Sequence, residues 1–178
     1  MNLWIDRVTY GDAEKRWLAA SGHYLQNPPP GCLFAIGVRE LRAELFADVL
    51  VASGPLLGLC LIGRPVARKL PQDGTVGEIT RMVLVDGLPH GTASRVLRIS
   101  ADVAKRQGMA SLIAYHDRTR HTGCIYRKAG FKKRGATTGS AVGWGNRKNR
   151  ERSATAGATS KRRWVLDLCM HEIAKGEA

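Results

Sequence analysis

The stretch from Gly77 to Phe131 constrains the fold of this 178-residue chain more than any other part of it. An apolar run, Gly77 to Gly87, leads into a turn of Leu88, Pro89, His90 and Gly91. A helical pattern follows from Thr92 to Gly108, then a second apolar run from Ala110 to Asp117. Ile79, Met82, Val83, Leu84 and Val85, rich in β-branched residues, suit a strand buried on both faces. Ala93, Val96, Leu97, Ser100, Val103 and Ala104 recur at three- and four-residue spacing and give the helix one apolar stripe. Thr92 is placed to cap the helix, and Gly108 suits the left-handed residue beyond its end. Strand, tight turn, helix and strand make a βαβ-like unit, whose turn sits where helix amides and dipole hold a phosphate.

The flanking segments extend this unit into a sheet. Asn2 to Val8 reads as a strand, and Asp12 to Ser21 as a short helix with Trp17 and Leu18 inward. Pro28, Pro29 and Pro30 make Gly22 to Gly31 a stiff loop. Cys32 to Val38 is a strand; Arg39 to Gly54 fits either a helix or an antiparallel hairpin. Pro55 to Arg68 supplies a strand ending at Gly63, and Lys69 to Thr75 a polar turn. Lys132 to Ser140 and the residues beyond, poor in apolar side chains, read as loops, before a strand over Lys161 to Met170. The expectation is one domain over residues 1–178, α+β, with a mixed, mostly antiparallel sheet flanked by helices and a basic loop region near the carboxyl end. No run is long and apolar enough to span a bilayer, and the first residues lack a secretory pattern. Cys32, Cys60, Cys124 and Cys169 form no CxxC pair and read as reduced thiols of a cytosolic protein.

The net charge is +13 and unevenly placed: from Arg118 to Arg163 there are 14 Lys and Arg against one acid, Glu151. That cluster attracts a polyanion by neutralising phosphates and releasing counterions. Nucleic acid is the favoured partner, ahead of a solvated basic surface or the phosphates of a coenzyme.

The core resembles the GNAT acyltransferase superfamily. Its late Tyr-x-x-x-Gly-Phe signature stands here as Tyr126, Gly130 and Phe131, while its phosphate turn is reduced to Gly91, Thr92, Ala93 and Ser94. A wider pattern is similar to the phage Mu Mom family of DNA-modification proteins, a GNAT-like branch. It runs through Thr80-Arg81, Ala93-Ser94-Arg95, Tyr115-His116-Asp117, His121 to Tyr126, and Gly143 to Arg147. The resemblance implies an enzyme adding a carbamoylmethyl group to the N6 amine of adenine in duplex DNA, in the cytoplasm of a bacterial host, shielding phage DNA from restriction. It leaves a homodimer open.

Several residues are singled out for chemistry. Tyr126, at a helix start, could protonate a leaving thiolate, or simply pack beside the sheet. Asp117 ends a strand at the carboxyl edge, as a base or a mere cap. Arg81 inside the central strand needs a partner such as Glu78, a phosphate or a carboxylate. Gly91, Thr92 and Ser94 would hold an acyl or glycyl donor, acetyl-coenzyme A among them, and Ser94 could also face a reacting carbonyl. The Mom resemblance adds a metal set of His23, Tyr24, Asp117 and Tyr126, whose imidazole and oxygen donors suit non-haem iron; Tyr126 could not serve comfortably as ligand and proton donor at once. DNA contacts are expected from Arg118, Arg120, His121, Lys132, Lys133, Arg134, Arg147, Lys148, Arg150 and Arg152, with Trp144 stacking on a base or anchoring its loop. His90 shapes its turn. The rival functions are an ordinary N-acetyltransferase and a non-catalytic nucleic-acid-binding protein.

Overall fold

A computed structural model describes residues 1–23, 31–41, 43–46, 49–52, 54–67, 69–137 and 160–168. Its elements are β1 (Leu3–Val8), α1 (Asp12–Ala20), β2 (Cys32–Glu40), β3 (Ala43–Phe46), β4 (Val49–Ala52), β5 (Leu56–Gly63), β6 (Val76–Leu84), α2 (Thr92–Arg106), β7 (Ser111–Asp117), α3 (Cys124–Lys128), β8 (Lys132–Thr137) and β9 (Lys161–Asp167). Seven strands form one sheet in the order β1-β2-β5-β6-β7-β9-β8, with β6 and β7 its one parallel neighbouring pair. This is the expected mixed, mostly antiparallel α+β sheet. The ambiguous stretch after β2 resolves as the antiparallel hairpin β3–β4, so hairpin wins over helix.

Two cores lie on the two faces of the sheet. Under α2 and α3, Ile36, Cys60, Ile62, Ile79, Leu112 and Ala114 pack against Val96, Leu97 and Ala104, the stripe read from the helical spacing. On the opposite face, Leu18 of α1 covers Ala35, Leu59 and Leu61, toward the β1 edge. Among the described residues no helix is long and apolar enough to cross a membrane.

Three local expectations are corrected. The central strand is not buried throughout: Gly77, Glu78 and Ile79 are, but Thr80 to Leu84 are partly exposed and Val85 is 40% exposed. The reason is pairing, which β7 provides only as far as Ile79↔Ala114. Residues Lys132 to Thr137 are no loop but the edge strand β8, held by β9 although every side chain on it is exposed. Backbone pairing forms this strand without an apolar face. Finally, the residue capping α2 is Gly91, left-handed at φ 90°, and not Thr92, whose hydroxyl instead donates back to the Pro89 carbonyl at 2.6 Å. Gly108 is left-handed as expected.

Candidate functional site

The site begins where two parallel strands part. Pairing of β6 with β7 stops at Ile79↔Ala114, yet β6 runs on to Leu84 and β7 to Asp117, now paired only with β9. A wedge therefore opens at the carboxyl ends of the two strands, the position where ligands enter open sheets of this kind. A bulge decides what lines it. Across from β5, Ile79 faces Ile62 and Arg81 faces Leu61, so Thr80 is an extra residue, its hydroxyl donating to the Leu61 carbonyl at 3.1 Å. Without the bulge Arg81 would share the face of Ile79; with it, Arg81 shares the face of Glu78.

That face, opposite α2 and α3, carries a charged constellation. Strand alternation puts Glu78 and Arg81 of β6, Tyr115 and Asp117 of β7, and Lys161 and Arg163 of β9 on it, with Asp117 directly opposite Lys161 and Tyr115 opposite Arg163. Glu78 is buried, and its Oε2 accepts the Val66 amide at 2.8 Å. Burial lifts its proton affinity above the ordinary carboxylate range, while the Val66 amide, Lys161 and Arg81 pull it back. Burial likewise depresses Lys161, whose ammonium Asp117 and Glu78 help to retain and Arg81 opposes. The Tyr115 phenol is raised by burial and by Glu78, and lowered by Arg163. A buried carboxylate of raised proton affinity is a better proton acceptor than a solvated one.

Asp117 is held more tightly. Its Oδ1 accepts both the amide of Thr119, at 2.8 Å, and the Thr119 hydroxyl, at 2.6 Å. Its Oδ2 lies 3.7 Å from Arg120 Nε, and its carbonyl accepts the His121 amide at 3.0 Å. Asp117 thus braces the turn after β7 and caps no helix, since the residue capping α3 is Gly123.

The other side of β7 is aromatic. His116 points toward α3, where Tyr126 stacks on it at 5.9 Å and on Trp164 at 5.7 Å, with Phe131 edge-on to Tyr126. Trp164 Nε1 donates to His116 Nδ1 at 2.6 Å, which fixes the imidazole as the Nε2–H tautomer. Burial, with His121, Arg162 and Arg118, keeps His116 below its ordinary proton affinity, against a smaller pull from Asp117. Gly123 makes this packing feasible: it is left-handed at φ 77°, and a Cβ there would come within 2.7 Å of His116 Cε1 and 2.8 Å of Trp164 Cζ2. Tyr126 is thus a packed tyrosine at 7% exposure, on the opposite side of β7 from Asp117.

At the same end of the sheet, α2 opens a third feature. A cleft of about 490 Å³ is lined by Pro89, His90, Gly91, Thr92, Arg95 and Arg98, and by Met1, Asn2, Leu3 and Leu41. Thr92 N donates to the Pro89 carbonyl and Arg95 N to that of Gly91, so the amides of Ala93 and Ser94 belong to the open start of the helix. The Ser94 hydroxyl turns back to the Gly91 carbonyl at 3.1 Å and is buried, which makes it a brace of the turn. Helix amides with two arginines and an imidazole fit the phosphates of a coenzyme donor.

The iron set does not fit in the same way. His23 follows α1, its amide 3.4 Å from Ser21 Oγ, and Tyr24 lies outside the described residues. Asp117 and Tyr126 leave opposite sides of β7, and among the described residues no three His, Cys, Asp or Glu side chains gather as ligands. Of the expected DNA contacts, Arg118, Arg120 and His121 occupy the exposed turn after β7, and Lys132, Lys133 and Arg134 the exposed strand β8. Trp144, Arg147, Lys148, Arg150 and Arg152 lie outside the described residues.

Sequence reasoning gave Glu78 no role beyond partnering Arg81, placed Tyr115 only within a family pattern and Lys161 only within the basic cluster, and did not reach the His116–Trp164 bond. An acid inside an apolar strand was an available signal for Glu78; nothing local pairs Lys161 with Asp117.

Comparison with known proteins agrees with this geometry. Residues 2–175 match the Mom protein family. No curated protein matches. Solved structures share the fold at low identity. An N-acetyltransferase from Staphylococcus aureus Mu50 is 18% identical, with a TM-score of 0.60 over 95% of this chain and 100% of that one. The ribosomal-protein-S18-alanine N-acetyltransferase from Escherichia coli is 11% identical, with a TM-score of 0.60 over 97% and 98%. A Bacillus subtilis acetyltransferase in complex with CoA is 15% identical, with a TM-score of 0.56 over 94% and 100%. The architecture is that of the GNAT acetyltransferases.

Proposed function

Because the chain belongs to the Mom protein family, we propose that it is a DNA-modifying transferase that attaches a carbamoylmethyl group to the N6 amine of adenine in duplex DNA, masking the DNA from restriction. The observation that carries the reading is the charged constellation at the parting of β6 and β7, with buried Glu78 as its proton acceptor. The N6 amine is a weak nucleophile. As it forms its bond to the donor's methylene carbon, the bond from that carbon to the donor's leaving group breaks and the group departs with its electron pair. The amine sheds a proton, which Glu78, the carboxylate of raised proton affinity, takes. Arg81 and Lys161 balance the charge that Glu78 and Asp117 bring. Adenine N6 lies within the duplex stack, so the base is flipped out to reach the wedge, at a cost of a few kcal/mol. The cleft at the start of α2, with Arg95 and Arg98, would hold the phosphates of a donor that carries a coenzyme-type pyrophosphate.

That same cleft favours a second reading, an N-acetyltransferase using acetyl-coenzyme A on a protein or small amine, since a CoA complex is known for a structure of this fold. Mass spectrometry of nucleosides from DNA of expressing cells separates the two. A deoxyadenosine carrying the carbamoylmethyl mass, missing with Glu78→Gln and Asp117→Ala proteins that stay folded, supports the first. Unmodified DNA together with an acetylated amine supports the second. Unmodified DNA with no transfer product at all leaves a binding protein.

A further inference from the structure

We propose that duplex DNA docks on one side only of the β8–β9 ribbon, the side shared with Glu78 and Asp117, and follows it to the wedge between β6 and β7. The inference rests on the nucleic-acid reading above and adds to it a surface and a direction.

The register fixes which cations face which way. Lys132 pairs with Val165 and Lys133 with Trp164, after which the pairing shifts so that Ala136 meets Arg162 and Thr137 meets Lys161. Trp164 points into the aromatic cluster under α3, so Lys133 lies on the α3 side and Lys132 on the other. The shift leaves Arg134 and Gly135 opposite the single residue Arg163, a bulge with Gly135 left-handed at φ 75°. It is tied down by Arg163 Nε, which donates to the Arg134 carbonyl at 3.0 Å. Arg134 therefore joins Lys132, Lys161 and Arg163 on the side that also carries Tyr115 and Asp117. Four cations stand there, against Lys133 and Arg162 on the ribbon's other side.

Lys161 is balanced by Asp117 and Glu78 at the wedge, whereas β8 carries no acid beside Lys132 and Arg134. Lysines on an edge strand also deter pairing with another chain. That purpose needs charge on β8 alone, and does not account for its continuation onto Arg163 of the covered strand β9. A row of cations leading to a pair of buried carboxylates suits a polyanion whose reacting group is itself uncharged, as an adenine presented by its phosphate backbone is.

The test compares two charge-matched double variants of exposed residues: Lys132→Gln with Arg134→Gln on the proposed side, and Arg127→Gln with Lys128→Gln on α3. Binding to a fluorescein-labelled DNA duplex is followed by anisotropy across a salt series, with thermal unfolding to confirm that both variants fold. Loss of two phosphate contacts makes the slope of log affinity against log salt shallower by about 1.8, at about 0.9 per contact. That loss is expected for the β8 pair and not for the α3 pair. Equal losses from both pairs would overturn the one-sided track while leaving DNA as the partner. Competition by polyglutamate as strong as by unlabelled duplex would also overturn it. A wild-type protein showing no salt-dependent binding would fail the nucleic-acid reading itself.

Discussion

The two sides of β7 are built on opposite principles from adjacent residues. Toward α3, His116 meets Tyr126 and Trp164, with Phe131 against Tyr126, in a closely packed cluster where burial lowers the proton affinity of the imidazole and an indole N–H occupies its Nδ1. On the other side, Asp117 sits among Glu78, Arg81, Tyr115, Lys161 and Arg163, where charges are buried and then balanced against one another. One side spends its residues on shape, the other on proton affinity. The difference implies that substitutions toward α3 act first on stability, and that substitutions on the other side act first on chemistry.

The largest effect expected is on rate. Glu78→Gln keeps the side-chain oxygen that accepts the Val66 amide but removes the proton acceptor. A loss of about 10²- to 10⁴-fold in turnover is expected, the usual worth of a general base. The pH dependence gives a sharper sign. A carboxylate raised in the folded state favours its protonated form there, so it stabilises the fold most below its ordinary range, and that contribution fades as pH rises through the raised value. At neutral pH the Gln variant should therefore unfold no more easily than the parent. Activity of the parent should rise with pH along a limb lying above the ordinary Glu range, which the variant lacks. Equal turnover in both proteins would remove Glu78 from the mechanism.

Gly123→Ala probes the aromatic side and should give the reverse pattern. A Cβ at this left-handed position meets ring atoms of both His116 and Trp164 at under 3 Å, in a stacked cluster with little room to yield. Left-handed strain and overpacking together suggest a loss of about 3 kcal/mol in urea unfolding. A variant as stable as the parent would show that the cluster is looser than its distances imply.

Much of this arrangement was legible in the chain. The helical stripe of α2 and the turn before it follow from spacing and from residue type, which act locally, while the Tyr126–Phe131 signature was legible through the family resemblance. The separation of Asp117 from Tyr126 was not legible, because it depends on which way a strand's alternation falls against an element seven residues further on. Arg81 was recognised as needing a partner, but the bulge at Thr80 that turns it toward Glu78 is set by the register with β5, nineteen residues earlier for the Leu61 carbonyl. β8 was missed because strand patterns are sought in apolar alternation, and this strand has none: its hydrogen bonds come from β9, beyond a long intervening segment. Lys161 was counted as one more surface cation for the same reason. Its neighbour Asp117 is far away in the sequence and directly opposite in the sheet.

The smallest effect expected links the two sides. Trp164→Phe keeps an aromatic ring near Tyr126 but removes the donor to His116 Nδ1. The lost hydrogen bond and the slightly smaller ring suggest about 1–2 kcal/mol. A histidine whose proton affinity is depressed in the fold contributes stability that is complete above its ordinary value near 6.5 and is lost as pH falls through the lower folded value. With Nδ1 released from the indole, His116 accepts a proton more readily and its folded value moves back toward the ordinary one, so the acid loss should be smaller in the variant and should level off at higher pH. Urea midpoints measured between about pH 5 and 7 would display the displacement, because no other side-chain type titrates there unperturbed. Turnover at neutral pH should change little, since the imidazole is neutral in both proteins and Asp117 and Glu78 face away from it. A variant that kept the parent's pH dependence but lost turnover would mean that the aromatic side takes part in the chemistry, and the division between the two sides of β7 would have to be redrawn.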